Sequence, residues 1–234
     1  MKKNKNIFIT STGTNLGKTY CNVEIIKKLI ENNIDVNVFK PILSGFNEGK
    51  ITESDSYKIL QAKGIVPNLE NIKLITPWIF KQPYAPTVAA KKENKKLIYS
   101  QVLKWAKIKI ENADEGVLNI FEGAGGLMVP IEATKTILDL IEDIDSKVIL
   151  VAGNYLGSIS HTISAIRNIQ QRNIDIINVI INNREISDID INDTLDLLKA
   201  SLENKILLRK VNMNDNYSSN SFNIIMEDIK NTFG

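Results

Sequence analysis

Ser11-Thr12-Gly13-Thr14-Asn15-Leu16-Gly17-Lys18-Thr19 decides how this chain is read. The apolar run Ile7-Phe8-Ile9 just before it has the character of a buried strand. After it, residues 20–32 set Val23, Ile26 and Ile30, with Ile25 and Leu29, at helical spacing. A strand enters a glycine-bearing turn and the turn opens a helix, which is the context in which a Gly-Lys-Thr ending holds phosphate. The first N–H groups of a helix have no backbone partner and carry the positive end of its dipole, and a phosphate answers both needs. Lys18 reaches the outer phosphates as a point charge, and Thr19 offers a hydroxyl to Mg²⁺. The usual first glycine of such a loop, five residues before Gly17, is Thr12, with Gly13 beside it.

The chain has 234 residues, room for one large domain or two small ones. No repeat and no low-complexity linker divides it, so a single domain over 1–234 is expected. Lys and Arg number 29 against 27 Asp and Glu, a balance without the basic face that nucleic acid requires. The run Lys91 to Lys96, broken by Glu93 and Asn94, reads as a solvated helix end. A lone cysteine, Cys21, forbids an internal disulfide and reads as a small core filler on the first helix. With one histidine, His161, it cannot build the usual zinc site. No apolar stretch has the length of a membrane span, and the basic start Met1 to Asn6 leads into too few apolar residues for a secretion signal. A soluble cytoplasmic protein is the expectation, with no membrane or nucleic-acid partner.

A second strand is expected over 36–39, ending at Lys40-Pro41. Pro41 stops the ladder, which puts Lys40 at a strand's carboxyl end, the edge where open α/β sheets bind ligands. Ser54-Asp55 reads two ways: a cap for a short helix, or a carboxylate for the metal that Thr19 opens. Residues 68–87, with four prolines in or beside them, read as an irregular excursion holding one edge strand near 73–76. A helix follows over 100–111, with Ser100 as its cap and Val102, Leu103, Ala106 and Ile110 on one side. The strand over 116–121 delivers Glu122-Gly123-Ala124-Gly125-Gly126, an acid that holds Mg²⁺ directly or indirectly and glycines that let backbone approach a ligand. A strand over 148–151, a helix to Arg172, a strand over 176–181 ending in Asn182-Asn183, a helix over 195–202, a strand over 205–208 and a helix over 222–232 complete the chain. The alternation predicts an α/β fold with a mostly parallel central sheet and helices on both faces, like the P-loop NTPases.

Taken in order, these motifs resemble the dethiobiotin synthetases, the ATP-dependent enzymes of biotin synthesis. The likeness runs through Thr14-Asn15-Leu16-Gly17-Lys18-Thr19, Lys40-Pro41 with Ser44-Gly45, Ser54-Asp55, Glu122-Gly123-Ala124-Gly125-Gly126 with Pro130, Leu156-Gly157 with His161-Thr162, and Asn182. It implies MgATP-dependent carboxylation and ring closure of 7,8-diaminononanoate with CO₂, through a carbamate and a carbamic-phosphoric anhydride, to dethiobiotin, ADP and phosphate. It implies Lys40, Lys18 and Thr14 as the catalytic groups. It gives the nucleotide to Asn15 through Thr19 and Tyr20, to Asp55, to Glu122, Gly123, Ala124 and Gly125, and to Asn182 and Asn183. Mg²⁺ falls to Thr19, Asp55 and Glu122. The substrate falls to Ser44 and Lys40, and its carboxylate to Gly157, Ser158, Ile159 and Ser160 of a partner subunit, in a homodimer with the substrate at the interface. Ser11 stands where the family more often has glycine, Gly13 where it often has aspartate, and Ser160 where asparagine is commoner. Residues 208–211 lack the glycine and proline usual in the loop over the base.

The rival reading is a P-loop switch ATPase of the partition or positioning type. Such proteins usually carry a second lysine four residues before the loop's last glycine, a position held here by Gly13, and they lack the Glu-Gly-Ala-Gly-Gly cluster. An amidotransferase-linked ligase would need a further domain with a cysteine nucleophile, for which the chain has no room and no suitable cysteine.

Overall fold

The computed structural model of the protein describes residues 5–183, 189–202, 206–213 and 218–234. In chain order the strands and helices are β1 (Lys5–Ser11), α1 (Lys18–Glu31), β2 (Val36–Phe39), β3 (Ile42–Ser44), α2 (Asp55–Lys63), α3 (Leu69–Ile75), β4 (Trp78–Phe80), α4 (Pro86–Lys92), α5 (Tyr99–Glu111), β5 (Leu118–Glu122), β6 (Pro130–Glu132), β7 (Lys135–Thr136), α6 (Ile137–Asp143), β8 (Lys147–Gly153), α7 (Ser158–Gln171), β9 (Ile176–Asn183), α8 (Ile191–Ser201), β10 (Leu208–Asn212) and α9 (Ser218–Phe233).

Six strands pair in the order β10-β9-β8-β1-β5-β2, every neighbour parallel. Strands buried on both faces must be apolar on both, and β1 meets this with Ile7 and Ile9 on one side and Phe8 on the other. Ile7 and Ile9 belong to one core layer, which includes Ile25, Leu60, Ile72 and Phe222 of α1, α2, α3 and α9. Phe8 belongs to the other, which includes Ala89, Val102, Ile141, Ile166 and Leu198 of α4 through α8. The expected helices on both faces of a parallel sheet are therefore present.

One polar row crosses this apolar sheet. Asn6 and Asn37 both lie opposite Asn119 in the strand register. Asn37 Nδ2 donates to Asn119 Oδ1 at 3.1 Å, Asn119 Nδ2 to Asn6 Oδ1 at 3.0 Å, and Asn6 Nδ2 to the carbonyl of Ile144 at 3.1 Å. A slip of one residue would bury these amides unpaired, so the row fixes the register of β1, β5 and β2.

The segment 68–87 differs from its reading as an irregular excursion. The edge strand expected near 73–76 is the end of helix α3, which Asn68 caps by accepting from the Asn71 N–H at 2.8 Å. Ile72 and Ile75, three residues apart, both point inward from this helix, so burial outweighs their β-branched preference. The strand comes later, at β4, and pairs in parallel with β3. The helix expected to start at Ser100 begins at Tyr99 with Ile98 as its cap. The last strand runs from Leu208 rather than ending there; Met1 to Asn4 and Lys205 lie outside the described residues. No helix of the described residues is long and apolar enough to cross a membrane.

Candidate active site

The carboxyl ends of β1, β2 and β5 meet at one point. The turn after β1 closes on Gly17, whose φ of 91° is left-handed, and α1 begins at Lys18. No side chain caps this helix start, so its amide groups remain available to an anion. The glycine cluster after β5 lies directly on the loop: Leu127 N–H donates to Ser11 O at 2.8 Å, and a Cβ on Gly126 would stand 3.2 Å from Ser11 O and 3.3 Å from Gly13 Cα. Backbone is packed on backbone there, with no space for a side chain.

Lys40 follows β2 and is 3% exposed. Its Nζ lies 2.7 Å from Glu122 Oε1 and 3.0 Å from Asp55 Oδ2. Burial opposes its charge, but the two carboxylates outweigh burial and hold its pKa above the ordinary lysine value. Burial also pushes the Asp55 carboxyl upward, but the Lys40 ammonium, then the Thr19 hydroxyl and Lys18, leave it below the ordinary value. Among the described residues no carboxylate lies within ion-pair distance of Lys18, whose Nζ donates to Ser11 Oγ at 3.3 Å. Burial first, and then repulsion from Lys40, bring its pKa down to about 8.

Glu122 is fully buried beneath this cluster. Thr19 Oγ1 donates to its Oε1 at 2.7 Å and Asn22 Nδ2 to its Oε2 at 2.8 Å. Of the two roles open to Ser54-Asp55 the cap is present, Ser54 capping α2 by accepting from the Tyr57 N–H at 3.2 Å, while the Asp55 carboxylate meets the Lys40 ammonium.

Above the cluster lies a cavity of about 520 Å³. Among the expected site residues, Thr14, Asn15, Gly17, Lys18, Thr19, Tyr20, Lys40, Ser44, Asp55, Ala124 and Gly125 line it. The Ser44 hydroxyl is buried and has no hydrogen-bond partner among the described residues. Leu16 and Asn182 stand behind the loop, where Asn182 Nδ2 donates to Leu16 O at 2.9 Å. The Asn182 Oδ1 is buried without a partner among the described residues, and Asn183 accepts from Asn154 Nδ2 at 3.3 Å. Gly123 lies under the cluster, its carbonyl 3.4 Å from Lys40 Nζ. Gly157, Ser158, Ile159 and Ser160 form the start of α7 and do not line this cavity. A neighbouring groove of about 350 Å³ shares Thr14 with the cavity and runs past Met128 to His161 and Asn168 on α7.

Sequence reasoning missed Ser11 as the Lys18 acceptor, Asn22 as the Glu122 donor, and Lys58, Tyr84 and Met213 as cavity wall. Asn22 had a legible signal: it is polar on a helix face otherwise given to the core, three residues after Thr19.

The profile of a family described as an AAA domain matches residues 5–216. The chain is 35% identical over 179 residues to the ATP-dependent dethiobiotin synthetase BioD of Acidiphilium cryptum, covering 76% of this chain and 79% of that one. It is 32% identical over 196 residues to the enzyme of that name from Caulobacter vibrioides, covering 84% and 87%. It is 36% identical over 183 residues to that from Bacillus licheniformis, covering 76% and 73%. Among solved structures, a putative plasmid partition protein of Borrelia burgdorferi bound to AMPPNP aligns over 99% of this chain and 100% of its own, with a TM-score of 0.57 at 16% identity. The MinC:MinD cell division complex of Aquifex aeolicus gives 0.55 at 14% identity, over 98% of this chain and 96% of that chain. These two likenesses are of fold.

Proposed function

The chain belongs to the family of ATP-dependent dethiobiotin synthetases, ligases of biotin biosynthesis, and from that premise we propose that residues 1–234 act as one domain that closes 7,8-diaminononanoate and CO₂ into a cyclic urea. One amine of the substrate adds CO₂ and loses a proton to give a carbamate. The carbamate oxygen takes the γ-phosphoryl group of ATP and releases ADP. The second amine then attacks the carbonyl of this mixed anhydride, loses a proton and expels phosphate, leaving dethiobiotin.

The demanding step brings a carbamate anion against a triphosphate. Fixed positive charge between the two lowers that barrier, the positioning strategy of phosphoryl transfer. Lys18 at the head of α1 and Lys40 at the end of β2 provide it from two sides of one cavity. The pairing of Lys40 with two carboxylates keeps it protonated at any working pH. Thr14 and the unpartnered Ser44 hydroxyl supply hydrogen-bonding oxygens for the substrate's amine end.

Thr19, Asp55 and Glu122 present one hydroxyl and two carboxylates, hard oxygen donors suited to Mg²⁺. Among the described residues no group of three or more His, Cys, Asp or Glu forms a self-sufficient metal cage. Two carboxylates completed by nucleotide phosphates are the usual arrangement for this ion. When bound, Mg²⁺ supplies charge neutralisation at the transferring phosphate. Asn182 and Asn183, at the end of β9 behind the loop, read the adenine edge. Gly157 through Ser160 hold the substrate carboxylate of the partner protomer, which makes the working unit a homodimer.

The observation that carries this reading is the buried Lys40, held between Glu122 and Asp55 on the floor of the cavity that the phosphate loop also lines. The test is ADP release by purified protein given bicarbonate and MgATP, with and without the diamine. Release that requires the diamine supports the proposal, and release indifferent to it overturns the proposal in favour of a switch ATPase.

A further inference from the structure

The two oxygens of Glu122 have separate contacts. Oε1 accepts from Lys40 Nζ and Thr19 Oγ1, both at 2.7 Å, and both of these residues line the cavity. Oε2 accepts from the Asn22 side-chain amide at 2.8 Å. Glu122 is 0% exposed and Asn22 1%. Asn22 lies three residues after Thr19 on α1, so the loop threonine and this amide rise from one face of one helix. The Asn22 side-chain oxygen is buried with no hydrogen-bond partner among the described residues. An amide kept at the expense of an unsatisfied oxygen is costly, and its donor must offset that cost. The donor goes to Glu122 alone. A second cation at position 22 would compete with Lys40 for the carboxylate, and a carboxylate there would repel it. A neutral amide orients Glu122 without adding charge to the pair it makes with Lys40.

We infer that Asn22 is a positioning residue: by holding Oε2 of Glu122 it fixes the rotamer that turns Oε1 toward Thr19 and Lys40, and thereby sets the oxygen geometry offered to a divalent cation. The inference rests on the proposed function for the reaction it serves, although its test does not require turnover.

The probe is Mn²⁺, titrated by electron paramagnetic resonance into the ADP complex of the wild type, Asn22→Leu and Asn22→Ser. Loss of a hydrogen bond to a charged group predicts about tenfold weaker Mn²⁺ binding for Asn22→Leu. Asn22→Ser, which keeps a donor, stays within about threefold of the wild type. Metal-free ADP binding is unchanged in both variants. In turnover, the Mg²⁺ concentration for half-maximal rate rises by the same factor while the KM for the diamine does not move. Wild-type Mn²⁺ affinity in Asn22→Leu, or an equal loss of metal-free ADP affinity, overturns the inference. Should Asn22→Leu not fold, Asn22→Ala and Asn22→Ser replace the comparison: tighter Mn²⁺ binding by the serine variant supports the role, and equal binding overturns it. A wild type that ignores the diamine yet shows these Mn²⁺ shifts refutes the synthetase reading and leaves the role of Asn22 standing.

Discussion

Lys18 is the group whose charge is most sensitive to the ligand. Without a nucleotide its pKa is about 8, because burial and the neighbouring Lys40 outweigh the attraction of more distant carboxylates. A nucleotide phosphate beside Nζ brings the missing negative charge and returns the pKa toward its ordinary value of 10.5. Binding between these values therefore takes up a proton. At pH 7.5 about three-quarters of the free protein carries the Lys18 proton and at pH 9 about a tenth, so MgADP affinity falls about eightfold over that span. The decline steepens toward about one decade per pH unit above pH 8. Calorimetric titrations in two buffers of different ionisation enthalpy read both the affinity and the proton uptake, which approaches about one per site at pH 9. Stability carries the opposite sign. The folded pKa of Lys18 is depressed below its unfolded value, so the unfolded chain binds more protons above pH 8, and the nucleotide-free protein gains stability as pH rises through that point. The full effect is worth about 3 kcal/mol, complete only near pH 10.5. Burial raises the Cys21 thiol, and burial with Asp143 raises the Tyr99 phenol, which oppose the gain at higher pH, so the clean window is pH 7.5–9. Lys18→Met removes both dependences. MgADP affinity that is flat from pH 7.5 to 9.5, with no proton uptake, refutes this reasoning.

Three further outcomes follow from the packing. Lys40→Met lowers kcat by at least about a thousandfold, and because it strands the buried Glu122 carboxylate it also costs about 3 kcal/mol in urea unfolding while the circular dichroism spectrum is retained. Gly126→Ala pushes a methyl against Ser11 and Gly13 backbone, which cannot yield as a side chain would; MgADP affinity measured by calorimetry drops about tenfold. Sedimentation of the active species finds a dimer, and full activity in a strictly monomeric fraction would remove Gly157 through Ser160 from the carboxylate site.

The parts of the site that lie at the ends of regular elements were legible in the sequence. Thr19, Lys40 and Glu122 each stand where a strand or a turn gives way, and local pattern locates such places. Asp55 was legible only as one of two alternatives, because its neighbour Ser54 satisfies the cap and local rules do not say where the next carboxylate points. Asn22 was missed because its partner is 100 residues away, and a contact of that separation exists only once β5 lies beside α1. The helix α3 was missed for a related reason: Ile75 reads as a strand residue until the core that buries it together with Ile72 is present. The pairing of β3 with β4 depends on that helix returning the chain, so it was hidden as well.

The central claim is that the cations around one cavity couple ATP cleavage to carboxylation of a diamine. Simultaneous measurement of ADP and of the cyclic urea by mass spectrometry, with 7,8-diaminononanoate and ¹³C-bicarbonate, tests it most directly. The account predicts one labelled urea formed for each ADP released, and neither product in Lys40→Met. ADP released without labelled urea, at a rate the diamine does not change, would contradict it.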